Sequence, residues 1–217
     1  MNNNFTSVES YYSYAQYLHL IEQLVAAGDT TGDEPTEDQI AFTRLNLHRM
    51  LRWNKTFLVD EKLVDVARAS EPQVWWVFTE AWCGDGAQVI PLLQKITESS
   101  EGRISMRLLL RDENKEAMSH YLTNGGRAIP KLIAMSATGD ELFTWGPRPV
   151  PAQQLMLEWK LSPGTKSHED IEKELHLWYA KDKGICLMQE IMDKLQSVLS
   201  AQTLKVDHNS PILSKKA

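Results

Sequence analysis

Cysteine is scarce in this chain: two residues, Cys83 and Cys186, in a length of 217. That is too few for a disulfide framework, and neither cysteine has a second one three positions away. Basic residues are outnumbered, 23 Lys and Arg against 29 Asp and Glu, so the basic face that nucleic acid requires is not expected. No apolar run approaches the roughly 20 residues that cross a bilayer. The opening stretch from Met1 to Thr6 has neither the basic nor the apolar region of a signal peptide. A cytoplasmic protein with reduced cysteines is therefore expected, with no membrane and no nucleic-acid partner. The histidines (His19, His48, His120, His168, His176, His208) include no pair at helical zinc-ligand spacing with a third ligand nearby, so no metal is expected. There is no phosphate loop and no nucleophile-elbow motif. What the chain does have is 42% apolar and 24% charged residues, a composition that supports a packed core.

The first 70 residues read as helical. Val8, Tyr11, Ala15, Leu18, Ile21 and Val25 recur at spacings of three and four, which predicts a helix over 7–27. Gly28 to Pro35 is rich in helix breakers. Thr36 with Gln39 is a capping-box signature that opens a second helix towards Trp53. Phe57 to Val59 suggests a short edge strand, and Asp60 caps a short helix to Ala69. The middle changes character. Gln73 to Thr79 is β-branched and aromatic, as a strand buried on both faces would be. A helix over 87–99 containing Pro91, a strand over 104–111, a helix over 114–123 and a hairpin over 131–145 follow, then a helix over 150–161. The order βαβαββα predicts an α/β fold, a mixed sheet flanked by helices. This divides the chain into a helical extension (1–70), a core (71–162), C-terminal helices (163–200) and a polar tail (201–217).

Chemistry concentrates where the first strand meets its helix, in Glu-Ala-Trp-Cys-Gly-Asp-Gly, residues 80–86. Trp82-Cys83-Gly84-Asp85 resembles the start of a thioredoxin active site. Ile129-Pro130, before the hairpin, resembles that family's cis-proline loop, and Gly146 to Pro149 (Gly-Pro-Arg-Pro) resembles a stretch found in bacterial thioredoxin-like proteins. With the strand order, these residues identify 71–162 as similar to the thioredoxin superfamily. The resemblance implies a thioredoxin-like fold with extra helices at both ends, no cofactor, and a partner that is a protein or low-molecular-weight thiol or disulfide. It places Cys83 as the reactive thiol, with Trp82, Gly84, Ile129 and Pro130 lining the substrate groove. Gly86 departs from the pattern. It stands where redox-active members keep the resolving cysteine, so a dithiol mechanism within the motif is excluded.

A single thiol at a helix N-terminus is still favoured as the thiolate by unpaired N–H groups and the dipole. Asp85 opposes this, since a neighbouring carboxylate disfavours a second negative charge. A monothiol redox role is therefore expected. The alternative is a redox-inactive module that binds a peptide or protein partner. An iron–sulfur carrier ranks behind both, because this motif is unlike the Cys-Gly-Phe-Ser loop of monothiol glutaredoxins. Trp75 and Trp76 are expected on opposite faces of their strand. His48, Arg49 and Arg52 are expected to form a solvated helix face. Cys186 is expected in a helix core, and could serve as a resolving thiol only if the C-terminal helices fold back over Cys83.

Overall fold

The computed structural model describes residues 4–5 and 8–208. Three helices, α1 (Tyr14–Ala27), α2 (Glu37–Thr56) and α3 (Glu61–Ala69), precede the first strand, β1 (Gln73–Thr79). Then come α4 (Gly84–Ser99), β2 (Ile104–Leu110), α5 (Lys115–Ser119), β3 (Lys131–Ser136), β4 (Glu141–Trp145) and α6 (Val150–Leu161). Two further helices close the described chain, α7 (His168–Asp182) and α8 (Ile185–His208). The strands lie in the order β2-β1-β3-β4, with β1 parallel to β2 and antiparallel to β3, and β4 antiparallel to β3. The predicted βαβαββα order and mixed sheet are both present.

Alternation along β1 builds two cores. Trp75 and Val77 face the larger one, with Ile90, Leu93 and Ile96 of α4, Met50 and Trp53 of α2, and Leu187, Ile191 and Leu195 of α8. Trp76 and Phe78 face the opposite side of the sheet, against Met118 of α5, Tyr121 and Phe5. Phe5 stacks on the Trp76 ring with centroids 4.7 Å apart. The second face is thus covered by one short helix and an N-terminal segment. Burying a single Leu or Ile in such a core stabilises by about 1.5–3 kcal/mol, so α4, apolar and buried over most of its length, anchors the domain.

Several expected boundaries move, each for a local reason. The first helix begins at Tyr14, because Ser13 and Gln16 form a reciprocal capping box. Ahead of it, Tyr12 bridges to Leu108 on the outer edge of β2. Phe57 is the C-cap of α2, buried in the core, and no strand forms over 57–59. The helix expected over 114–123 ends at Ser119, and Thr123 instead pairs with Gly126 across a tight turn. α8 runs past Ser200 to His208, where a polar tail was expected; residues 209–217 lie outside the described chain. No described helix is long and apolar enough to cross a membrane.

Candidate functional site

The site is assembled at the C-terminal end of β1. Cys83 is the N-cap of α4: its backbone is extended, and its sulfur accepts the Gly86 N–H at 3.3 Å. The thiol donates to the Ile129 carbonyl at 3.5 Å, and Ile129-Pro130 is a cis peptide. The loop carrying Cys83 is held from two sides. Thr31 Oγ1 accepts the Ala81 N–H at 2.8 Å, and Asn46 of α2 donates to the Ala81 carbonyl at 2.9 Å. Trp82 is half-buried, with the Arg111 guanidinium 5.0 Å from its ring centroid, and Arg111 is itself paired to Asp112. The residues expected to line the site, Trp82, Gly84, Ile129 and Pro130, are therefore gathered around one sulfur.

That sulfur is closed in. Cys83 is 6% exposed. Burial pushes its thiol up to about 12, with the Asp85 charge adding to the rise and the Gly86 N–H and Arg148 pulling the other way. The helix terminus therefore loses to desolvation and a like charge. Cys83 and Cys186 are both free thiols. Cys186 sits at the start of α8 over Asp182, and burial followed by that carboxylate raises its thiol to about 12 as well.

Asp85 is the hub of a buried polar network that composition gave no hint of. Its Oδ2 lies 2.6 Å from Arg148 Nη2, and its Oδ1 accepts from the Tyr179 hydroxyl of α7 at 2.8 Å. Burial raises the Asp85 carboxyl, against the pull of Arg148 and of the Tyr179 bond. A second strand of the network runs from Trp53 through Gln88 to His176. The Trp53 indole can only donate, so Gln88 Oε1 is the acceptor (2.7 Å) and its amide nitrogen donates to His176 Nδ1 (3.3 Å). His176 is thereby set as the neutral Nε2–H tautomer. Burial, with Arg49 and Arg148 nearby, pulls its imidazolium down to about 4.

Arg49 departs from its expected place. It lies against Gly84 and donates to Asn46 at 2.9 Å, with its guanidinium half-buried, while His48 and Arg52 remain on the exposed face as expected. Gly84 allows this packing: a Cβ there would fall 3.1–3.2 Å from the His176 ring. Gly86 is constrained more tightly. A Cβ at that position would stand 2.7 Å from Thr79 Oγ1, so the threonine hydroxyl fills the space next to the glycine. Among the described residues no cluster of three or more His, Cys, Asp or Glu is placed to hold a metal.

The family model described as thioredoxin matches residues 32–162, more than half of the chain. The chain belongs to the thioredoxin family. In this thioredoxin-family chain α7 and α8 lie beyond the matched segment, so Tyr179 and His176 reach the motif from outside it. Among solved structures, a protein of unknown function, PA1234 from Pseudomonas aeruginosa, shares the fold at a TM-score of 0.51 and 15% identity, over 86% of this chain and 98% of that one. An HIV epitope-scaffold superposes at a TM-score of 0.49 and 15% identity, over 86% of this chain and 99% of that one. Among curated proteins none matches.

Proposed function

We propose that this protein acts through Cys83 as a single redox thiol. Its thiolate attacks a disulfide R–S–S–R′ of a protein or low-molecular-weight partner, forming Cys83–S–S–R and releasing R′S⁻. An external thiolate then attacks that mixed disulfide, restores the Cys83 thiolate and leaves with R as a new disulfide. No cofactor takes part. The observation that carries this reading is the position of the sulfur, at the N-terminus of α4 and against the carbonyl that precedes cis Pro130. Half-buried Trp82 and buried Ile129 are the apolar side chains beside it, and Gly86 leaves the step without an internal resolving thiol.

The competing reading is a thioredoxin-fold module that binds a partner without thiol chemistry. Its support is the closure of the site. With the thiol at about 12, only about one molecule in 10⁵ carries a thiolate at neutral pH.

The two readings separate in one incubation. Protein carrying Cys186→Ser is held with glutathione disulfide at pH 8 and measured by intact mass. The redox reading expects a mixed disulfide on Cys83 that dithiothreitol removes and that Cys83→Ser abolishes. Absence of the adduct both in the native protein and in variants that open the site, with normal adduct formation after unfolding, supports the binding module. Either way, insulin disulfides and thioredoxin reductase should give no turnover above that of the Cys83→Ser protein.

A further inference from the structure

Cys83 is set in redox geometry, yet its surroundings hold it silent, and α7 supplies part of those surroundings. This helix is attached differently from the elements beneath it. Its buried side chains are Ile171, Leu175 and Tyr179, one thin stripe spaced by four, and the remaining faces are half-exposed or exposed. The chain breaks on both sides of it. Pro163 and Gly164 (φ 82°) precede it, and Lys183 (φ 55°) and Gly184 (φ 84°), both left-handed, follow it. It packs along α6, with His168 edge-on to Trp159, and Glu174 pairs with Lys166 before the helix, while three contacts reach the first turns of α4: Tyr179 to Asp85, His176 to Gln88, and the His176 ring against Gly84.

We propose that α7 is a displaceable cover over the N-terminal turn of α4, latched by Tyr179 and His176, and that its opening governs access to Cys83. The regulation rests on the redox reading only for its purpose; the cover itself is a statement about access. With α7 in place, Asp85 is desolvated beside the sulfur and the first turn of α4 is largely covered, with Gly84 partly exposed. With α7 displaced, Asp85 loses the Tyr179 hydrogen bond and is hydrated, and the first turn of α4 faces the solvent from which a partner arrives. A partner competing for the surface of α4 would thus activate the thiol by removing the cover. Lys183, a non-glycine residue in the left-handed region, and the Pro163-Gly164 break are the places where the backbone can turn as the helix leaves.

The test follows opening and access separately, in protein carrying Cys186→Ser. Hydrogen exchange of α7 amides reports opening, and the rate of Cys83 alkylation by iodoacetamide at pH 9 reports access. Tyr179→Phe with His176→Ala should raise both, each by at least tenfold. Leu177→Ala, on the outer face of α7 and 54% exposed, should raise neither. Should the double variant fail to melt cooperatively, the unmutated protein supplies the answer: in urea below the unfolding transition, alkylation should accelerate in step with α7 exchange and not with exchange in β1. Unchanged alkylation while α7 exchange rises overturns the proposal, as does α7 exchange as slow as that of β1. Incubating the same variants with glutathione disulfide keeps the two ideas apart. Faster alkylation with no mixed disulfide leaves the cover standing and removes the redox reading.

Discussion

Gly86→Cys alone should destabilise the protein and leave Cys83 unpaired, whereas the same substitution with Thr79→Ala and Tyr17→Phe should form a disulfide between Cys83 and the introduced thiol. On family geometry the single change would be expected to rebuild a Cys-x-x-Cys pair. The structure locates the obstacle. The new Cβ would lie 3.4 Å from the Cys83 Cβ, just below the separation a disulfide uses, so the two sites are still arranged for bridging. The obstruction is Thr79, whose Oγ1 would be 2.7 Å from that Cβ. Thr79 is fully buried at the end of β1 and β-branched, so its side chain has little freedom to move aside. Overpacking of this kind costs roughly 1–3 kcal/mol. Alanine at 79 removes the clash but strands the buried Tyr17 hydroxyl, which bonds to Thr79, and phenylalanine at 17 removes that orphan. Thermal melts and thiol counting after mild oxidation check both halves. A disulfide in the single variant, at undiminished stability, would show that Thr79 is not the barrier.

Asp85→Asn is the second change with a large expected effect. It keeps an acceptor for the Tyr179 hydroxyl but deletes the charge that faces Arg148 and Cys83. Removing one partner of a buried ion pair destabilises by about 3–5 kcal/mol. Arg148 is partly exposed, 19% by side chain, so the lower end of that range is expected. For a domain of this size that lowers the melting temperature by roughly 6–12 °C. Reactivity moves the other way. Asp85 is the second cause of the raised Cys83 thiol, and without it Arg148 is free to stabilise the thiolate. Alkylation of Cys83 at pH 8 should rise at least tenfold, the equivalent of one pKa unit. A less stable protein with an unchanged alkylation rate would mean that Asp85 acts on the fold alone.

Much of this architecture is legible before any coordinates, because its signals are local. The aromatic, β-branched stretch from Gln73 to Thr79 and the capping box at Thr36 and Gln39 both act within a few residues. Ile129-Pro130 and Cys83 were legible as a pair because the family spacing brings them together. What escaped is long-range. Arg148 belongs to one motif, Gly146 to Pro149, and Asp85 to another, but that the two motifs meet as an ion pair depends on how the chain returns after β4. Thr79 carried no mark distinguishing it from any strand-ending threonine. Tyr179 and His176 lie about 90 residues beyond the motif, and only the four-residue spacing of Ile171, Leu175 and Tyr179 hints that this face of α7 is covered. Arg49 looked like part of a solvated edge, because one turn of an amphipathic helix can face solvent at His48 and Arg52 while Arg49 turns inward.

On the proposed reading these residues share one consequence: a sulfur available for exchange but held protonated beneath the α7 cover. The pH dependence of Cys83 alkylation, in protein carrying Cys186→Ser, tests this most directly. The rate should still be climbing at pH 10 without a plateau, as a thiol raised to about 12 requires. A plateau reached below about pH 8, the behaviour of an activated thiolate, would contradict it.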